Sequence, residues 1–181
     1  LYNTTFLNGS SAIRLVDGNG IKTANLVGLG SDVSDAFTIR NFTQKGVNAE
    51  NYNFSVEKMK MGNLQLGIQV FNSSIPTSMI AKDNYFESYY QAGIELTTST
   101  FNDFLIQNSE FVDDFSPVDY RYGARLTGIT LTSLSTSANI NTSKFYDNPK
   151  VHLDPLVFNE HVGVHITGSP HAKVYNNEFF Q

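Results

Sequence analysis

The sequence predicts an all-β fold, a solenoid of about six coils built from short strands and tight bends. Three observations predict it. First, one phrase occurs four times, as Gly67-Ile68-Gln69-Val70, Gly93-Ile94-Glu95-Leu96, Gly128-Ile129-Thr130-Leu131 and Gly163-Val164-His165-Ile166. Each copy is followed by a serine, at Ser73, Ser99, Ser133 and Ser169. Second, another phrase runs between these copies: an apolar residue, an Asn-like residue two positions later, and a Phe three further on. Its instances end at Phe6, Phe54, Phe86, Phe111, Phe145 and Phe179. Third, the Phe-to-Phe steps are 48, 32, 25, 34 and 34 residues. The shortest is too short for a strand-helix-strand crossover with its loops. The longest hides one degenerate turn, around Phe37, Ile39 and Phe42.

Each part of the repeat has a physical reason. Residues i and i+2 of a strand share a side. Ile68 with Val70, Ile94 with Leu96, Ile129 with Leu131 and Val164 with Ile166 therefore point inward, joined by Ile13 with Leu15. One outward column then reads Arg14, Gln69, Glu95, Thr130, His165. The next reads Val16, Phe71, Thr97, Thr132, Thr167. Thr on an outer ladder is ordinary strand chemistry. The Asn-like position predicts an inner or corner ladder of amides bonding the neighbouring coils. The Gly before each strand predicts a positive φ or a close backbone approach.

Residues 1–181 read as one β-helical domain, with the first roughly 50 residues a degenerate repeat. The chain begins and stops inside a repeat and shows no polar cap, so it reads as part of a longer solenoid whose further coils are its partners. Apolar residues make up 40% and charged residues 16%, with a net charge of −5. Periodic apolar residues argue against disorder. The basic residues are scattered, the closest pairs being Lys58 with Lys60 and Arg121 with Arg125, so nucleic acid is excluded as a partner. No apolar run approaches the ~20 residues of a membrane span. The absence of Cys excludes disulfides, thiolate metal sites and Cys nucleophiles.

The Asn-x-x-Phe and Gly-Ile-x-Leu phrases resemble those of the right-handed parallel β-helix superfamily typified by pectate lyases. The resemblance covers the chain from about Asn51 onward, and the first 50 residues loosely. The dense Leu spacing of leucine-rich repeats and the hexapeptide period of left-handed β-helices are both missing. An antiparallel sandwich of short strands is the structural alternative. The resemblance specifies architecture and leaves activity open. It implies secretion or display at the cell surface.

Loop lengths locate the candidate site. The segments from Phe to the following Gly vary, and the two longest, after Phe111 and after Phe145, belong to neighbouring coils. Long loops on one edge of a solenoid are where binding sits. They predict a trough holding Asp113, Asp114, Asp119, Tyr120, Arg121, Tyr122 and Arg125, beside outward Glu95 and His165. Tyr faces stack on sugar rings, while Asp and Arg bond hydroxyls or uronates. The plainer reading is that Asp-Pro and Asn-Pro punctuate turns and Tyr covers the coil edge.

The function expected is a structural or adhesive module that binds polysaccharide or a cell-surface glycan along this edge. Glu95, Asp114, Tyr120, Arg121, Tyr122 and His165 are its binding residues. The alternative is a polysaccharide lyase or glycoside hydrolase with Asp113, Asp119 and Arg125 catalytic. Paired carboxylates suit acid-base glycoside chemistry, and Asp113 with Asp119 or Glu95 is freer than the adjacent Asp113-Asp114. The superfamily's hydrolases carry Asp-Asp and Gly-His-Gly; here only Asp113-Asp114 is found. Its lyases hold calcium in an acidic cluster, so no cofactor is expected unless the chain is a lyase. No metal site is expected: His161 and His165 stand ~13 Å apart on a strand. A trimeric tailspike-like fibre is a third reading. Sequons at Asn3, Asn8, Asn41, Asn53, Asn72 and Asn141 would be used only in a eukaryotic secretory route.

Overall fold

A computed structural model describes residues 6–19, 22–32, 35–113, 121–132, 138–147, 161–169 and 171–180. Its described residues form strands and no helix. A nine-stranded sheet holds β1 (Phe6–Val16), β3 (Ile39–Glu50), β5 (Lys60–Phe71), β7 (Tyr85–Thr97), β9 (Glu110–Asp113), β10 (Arg121–Thr127), β13 (Lys144–Asp147), β14 (His161–Thr167) and β16 (Glu178–Phe180). A seven-stranded sheet holds β2 (Thr23–Val27), β4 (Asn53–Glu57), β6 (Thr77–Lys82), β8 (Thr100–Gln107), β11 (Thr130–Leu131), β12 (Ala138–Asn141) and β15 (Lys173–Tyr175). Every pairing between described strands is parallel. That removes the antiparallel sandwich. From β1 to β9 the chain alternates between the two sheets, and each return lays a strand beside its predecessor in that sheet.

β7 marks a division. Its first residues, Tyr85 to Glu87, pair with β9, and its last, Ala92 to Thr97, pair with β10. A positive φ of 55° at Ser88 turns the chain between the two stretches. Beyond β7 the large sheet therefore continues as two arms, β9-β13-β16 and β10-β14.

Register explains the Phe phrase. Ile39, Met61, Phe86, Phe111, Phe145 and Phe179 succeed one another across the sheet. The last four rings stack nearly parallel, with centroids 4.9, 4.8 and 5.1 Å apart. Phe54 does not belong to this column. It lies in β4 and pairs with Met79 of the other sheet. Ile39, within the long step, stands in register with Phe6, and Met61 stands in register with Ile39.

Gly67, Gly93, Gly123 and Gly163 lie under Phe86, Phe111, Phe145 and Phe179. A Cβ on Gly93 would meet Phe111 Cδ1 at 2.5 Å, and one on Gly163 would meet Phe179 Cε1 at 2.5 Å. The requirement is close approach, since among the described glycines positive φ falls only at Gly128 and Gly168. The third copy of the Gly phrase is accordingly misplaced by the sequence. Ile94 stands beside Ala124, and Ala124 beside Val164. Gly123-Ala124-Arg125-Leu126 is the structural copy, and Gly46-Val47-Asn48-Ala49 is another, with Val47 beside Ile68. Gly128 instead occupies a corner with a φ of 63°, equivalent to Asn51, Asn72, Thr98 and Gly168.

The Asn-like residues also resolve into corners. Asp83, Asn108, Thr142 and Asn176 have φ between 47° and 55°. Asn and Asp tolerate that left-handed conformation better than most residues. Amide-to-neighbour bonding is seen there once, from Asn108 Nδ2 to Asp83 Oδ1 at 2.6 Å. The inner ladder belongs to the following residue. The N–H groups of Asn84, Ser109 and Ser143 donate to Ser109 Oγ, Ser143 Oγ and Asn177 Oδ1 at 3.2, 3.2 and 2.9 Å. A second ladder uses the predicted serines: Ser73 N–H donates to Ser99 Oγ at 3.3 Å, and Ile129 N–H to Ser169 Oγ at 3.0 Å. Ser133 lies outside the described residues. These ladders satisfy backbone donors that the bends would otherwise bury unpaired. Inside, the apolar residues of both sheets form one continuous cluster.

Candidate functional site

The outward row follows from the corrected register. Arg14, Asn48, Gln69, Glu95, Arg125 and His165 stand side by side on β1, β3, β5, β7, β10 and β14. Thr130 is not in this row; it pairs with Thr100 on the other sheet. The neighbouring row holds Phe71, Thr97, Thr127 and Thr167, with Thr127 in the place expected of Thr132.

Glu95 is the centre of the row. Although it points outward, its side chain is only 7% exposed. Gln69 Nε2 donates to one carboxylate oxygen at 2.7 Å, and Gln91 Nε2 to the other at 3.0 Å. Arg125 Nη1 reaches the second oxygen at 3.4 Å. Two amides and a guanidinium therefore hold the carboxylate in place. Gln91 also accepts from Gln65 Nε2 at 3.1 Å, extending the amide surface.

Arg125, Tyr122 and His165 form the far end of the row. The Arg125 guanidinium lies over the Tyr122 ring, 5.0 Å from its centroid. The His165 ring packs against the same tyrosine at 5.1 Å, tilted by 57°. His165 Nε2 also lies 2.8 Å from Thr167 Oγ1. The arrangement is a small aromatic platform carrying a guanidinium and an imidazole.

The structure thus brings together Glu95, Tyr122, Arg125 and His165 from the predicted set. Arg121 opens β10 as a buried residue in register with His161. Asp113 ends β9, in register with Asp147. It does not stand beside Glu95. Glu87, opposite Val112, is eight residues from Glu95 along β7, on the order of 25 Å if extended, with the bend at Ser88 between them. Asp114, Asp119 and Tyr120 lie outside the described residues, as does most of the predicted trough. Gln69 and Gln91, which hold Glu95, were not singled out from the sequence. Gln69 could have been, since it occupies the same phrase position as Glu95.

A second polar groove of about 470 Å³ lies at the opposite corner, lined among others by Asp32, Asp35, Lys58, Asp83, Asn108 and Glu110. The carboxylates of Asp35, Asp83 and Glu110 are engaged locally. Asp83 accepts from Asn108 and sits 4.0 Å from Lys82, Glu110 sits 3.7 Å from Lys144, and Asp35 accepts the Asp32 N–H at 2.8 Å. Among the described residues no group of three or more His, Asp or Glu side chains is arranged to hold a metal ion.

Fold and row together define an all-β protein of parallel sheets with an ordered polar face. Among the described residues no helix is long and apolar enough to cross a membrane. Compared with protein-family models, with curated proteins and with solved structures, the chain matches none.

Proposed function

We propose that this chain is a right-handed parallel β-helix of a secreted or cell-surface protein, serving as a structural or adhesive module that binds polysaccharide on its ordered polar face. The observation that carries the reading is the row Gln69, Glu95, Arg125, His165 with Tyr122 beside it. Amides, a guanidinium and an aromatic ring at strand-to-strand spacing are the groups that bind sugar hydroxyls and ring faces. They sit on paired strands, which fix their positions better than loops do.

Binding is favoured over turnover by the state of Glu95. A general acid must give up a proton and a nucleophile must be free to attack. Glu95 is held by Gln69, Gln91 and Arg125. Retaining glycosidases keep two carboxyl groups about 5 Å apart and inverting ones up to about 9.5 Å. Glu95 has no second carboxylate in register on its neighbouring strands, where Gln69 and Arg125 stand.

The test is a screen of the protein against immobilised neutral and acidic polysaccharides, with product assays run with and without calcium. Retention without new reducing ends or unsaturated product is expected. Turnover would replace this reading with the lyase or hydrolase one. Failure to be retained by any glycan would leave a purely structural module.

A further inference from the structure

We infer that Arg125 anchors an anionic substituent, a carboxylate or a sulfate ester, so that the polymer bound by this face is acidic. The inference rests on the glycan-binding reading above and specifies its ligand class.

The donors of Arg125 exceed what its protein partners accept. Its contact with Glu95 is a single one, through Nη1 at 3.4 Å. Both Glu95 oxygens already accept closer amide bonds, from Gln69 and Gln91. Arg125 Nε is buried and has no hydrogen-bond partner among the described residues. Buried donors without acceptors are rare in native proteins, so this one points to a missing group. Thr127 Oγ1, two residues further on the same side of β10, is buried and unpartnered as well.

The surroundings select the missing group. A guanidinium presents donors in a planar fork that matches an oxyanion with two or three acceptor oxygens. A sugar hydroxyl fills one branch only. Tyr122 fixes the plane of the fork from one side, and His165 adds a ring in the adjoining register position. The Arg125 side chain is 34% exposed with its Nε covered, so an oxyanion from solvent meets the remaining atoms of the guanidinium first, and pairing with Nε requires the side chain to shift.

Isothermal titration of the chain with alginate, dextran sulfate and plain dextran tests this. The expected result is that at least one acidic polymer binds about tenfold or more tightly than dextran, and that Arg125→Gln removes that difference. Arg125→Lys keeps the charge and loses the fork, so it should not restore acidic binding. Lys173→Gln, at an exposed lysine of β15, should change nothing. Binding of alginate identifies a carboxylate; binding of dextran sulfate alone identifies a sulfate ester. Dextran bound as tightly as both acidic polymers overturns the inference and leaves the glycan reading standing. Full restoration by Arg125→Lys overturns the anchor in favour of a diffuse charge effect. Binding of none of the three overturns both. Arg125→Gln also leaves Glu95 one partner short, so circular dichroism accompanies each variant. If Arg125→Gln fails to fold, the folded Arg125→Lys protein carries the test.

Discussion

Phe145 lies on Gly123: a Cβ placed on the glycine would stand 2.4 Å from ring Cδ1 and 2.7 Å from the Gly163 carbonyl oxygen. The ring is itself held between Phe111 and Phe179, and the carbonyl is backbone, so neither can step aside. Gly123→Ala should therefore destabilise the protein by about 1–3 kcal/mol or more, as overpacking does. Urea denaturation measures it. An unchanged midpoint would show that the Gly-on-Phe packing is not tight.

Gly128 gives the contrasting case. Nothing lies within 3.9 Å of its would-be Cβ, yet its φ is 63°. The cost of Gly128→Ala is then backbone strain alone, about 1–2 kcal/mol. Gly128→Asn should cost less, since Asn72 and Asn51 hold the equivalent corners. Equal losses for Ala and Asn in thermal unfolding would contradict the corner assignment.

Ser109 joins two repeats through one hydroxyl. Its Oγ accepts from the Asn84 N–H and donates to the Gln107 carbonyl at 3.0 Å, all within the core. Ser109→Ala leaves a buried N–H unpaired, which costs about 1–3 kcal/mol. Hydrogen exchange should show the Asn84 amide losing protection first. Loss spread evenly over the molecule would argue against a local ladder.

Tyr146 supplies a pH dependence. Burial raises its phenol above the ordinary value, Glu110 and Glu178 raise it further, and Lys144 opposes them. A raised folded value means that the unfolded chain ionises first, near pH 10. The stabilisation is complete below that pH and is lost as pH climbs through the folded value. Tyr146→Phe should lose less stability than the unchanged protein between neutral and alkaline pH. Identical alkaline limbs in the two unfolding curves would refute the shift.

The repeat was legible because it is chemical. The stacked rings of Phe86, Phe111, Phe145 and Phe179, the inward Ile68, Ile94 and Val164, and the corner serines all follow from their spacing. Two things misled. Met61 and Ile39 fill the Phe position without looking like Phe, since a core column needs volume rather than one residue type. Gly128 copies the strand-start phrase with Ile129 and Leu131, although it turns a corner. The signal that separates the cases was present: Thr127-Gly128 matches Thr167-Gly168, which aligns Gly128 with a corner and puts Arg125 in the Glu95 row. The candidate site was legible in Glu95, Tyr122 and His165. The amide clamp on Glu95 was not, because Gln91 reaches it from four residues away along β7, past the alternation that sequence reading uses.

The central claim is that the Glu95–Arg125 face binds glycan through Tyr122. Its most direct measurement compares the unchanged protein with Tyr122→Ala on a glycan array, after circular dichroism has shown both folded. Selective binding that Tyr122→Ala weakens about tenfold is expected, in line with loss of a stacking ring worth roughly 1 kcal/mol or more. Binding that survives the substitution undiminished would put the glycan elsewhere and contradict the site.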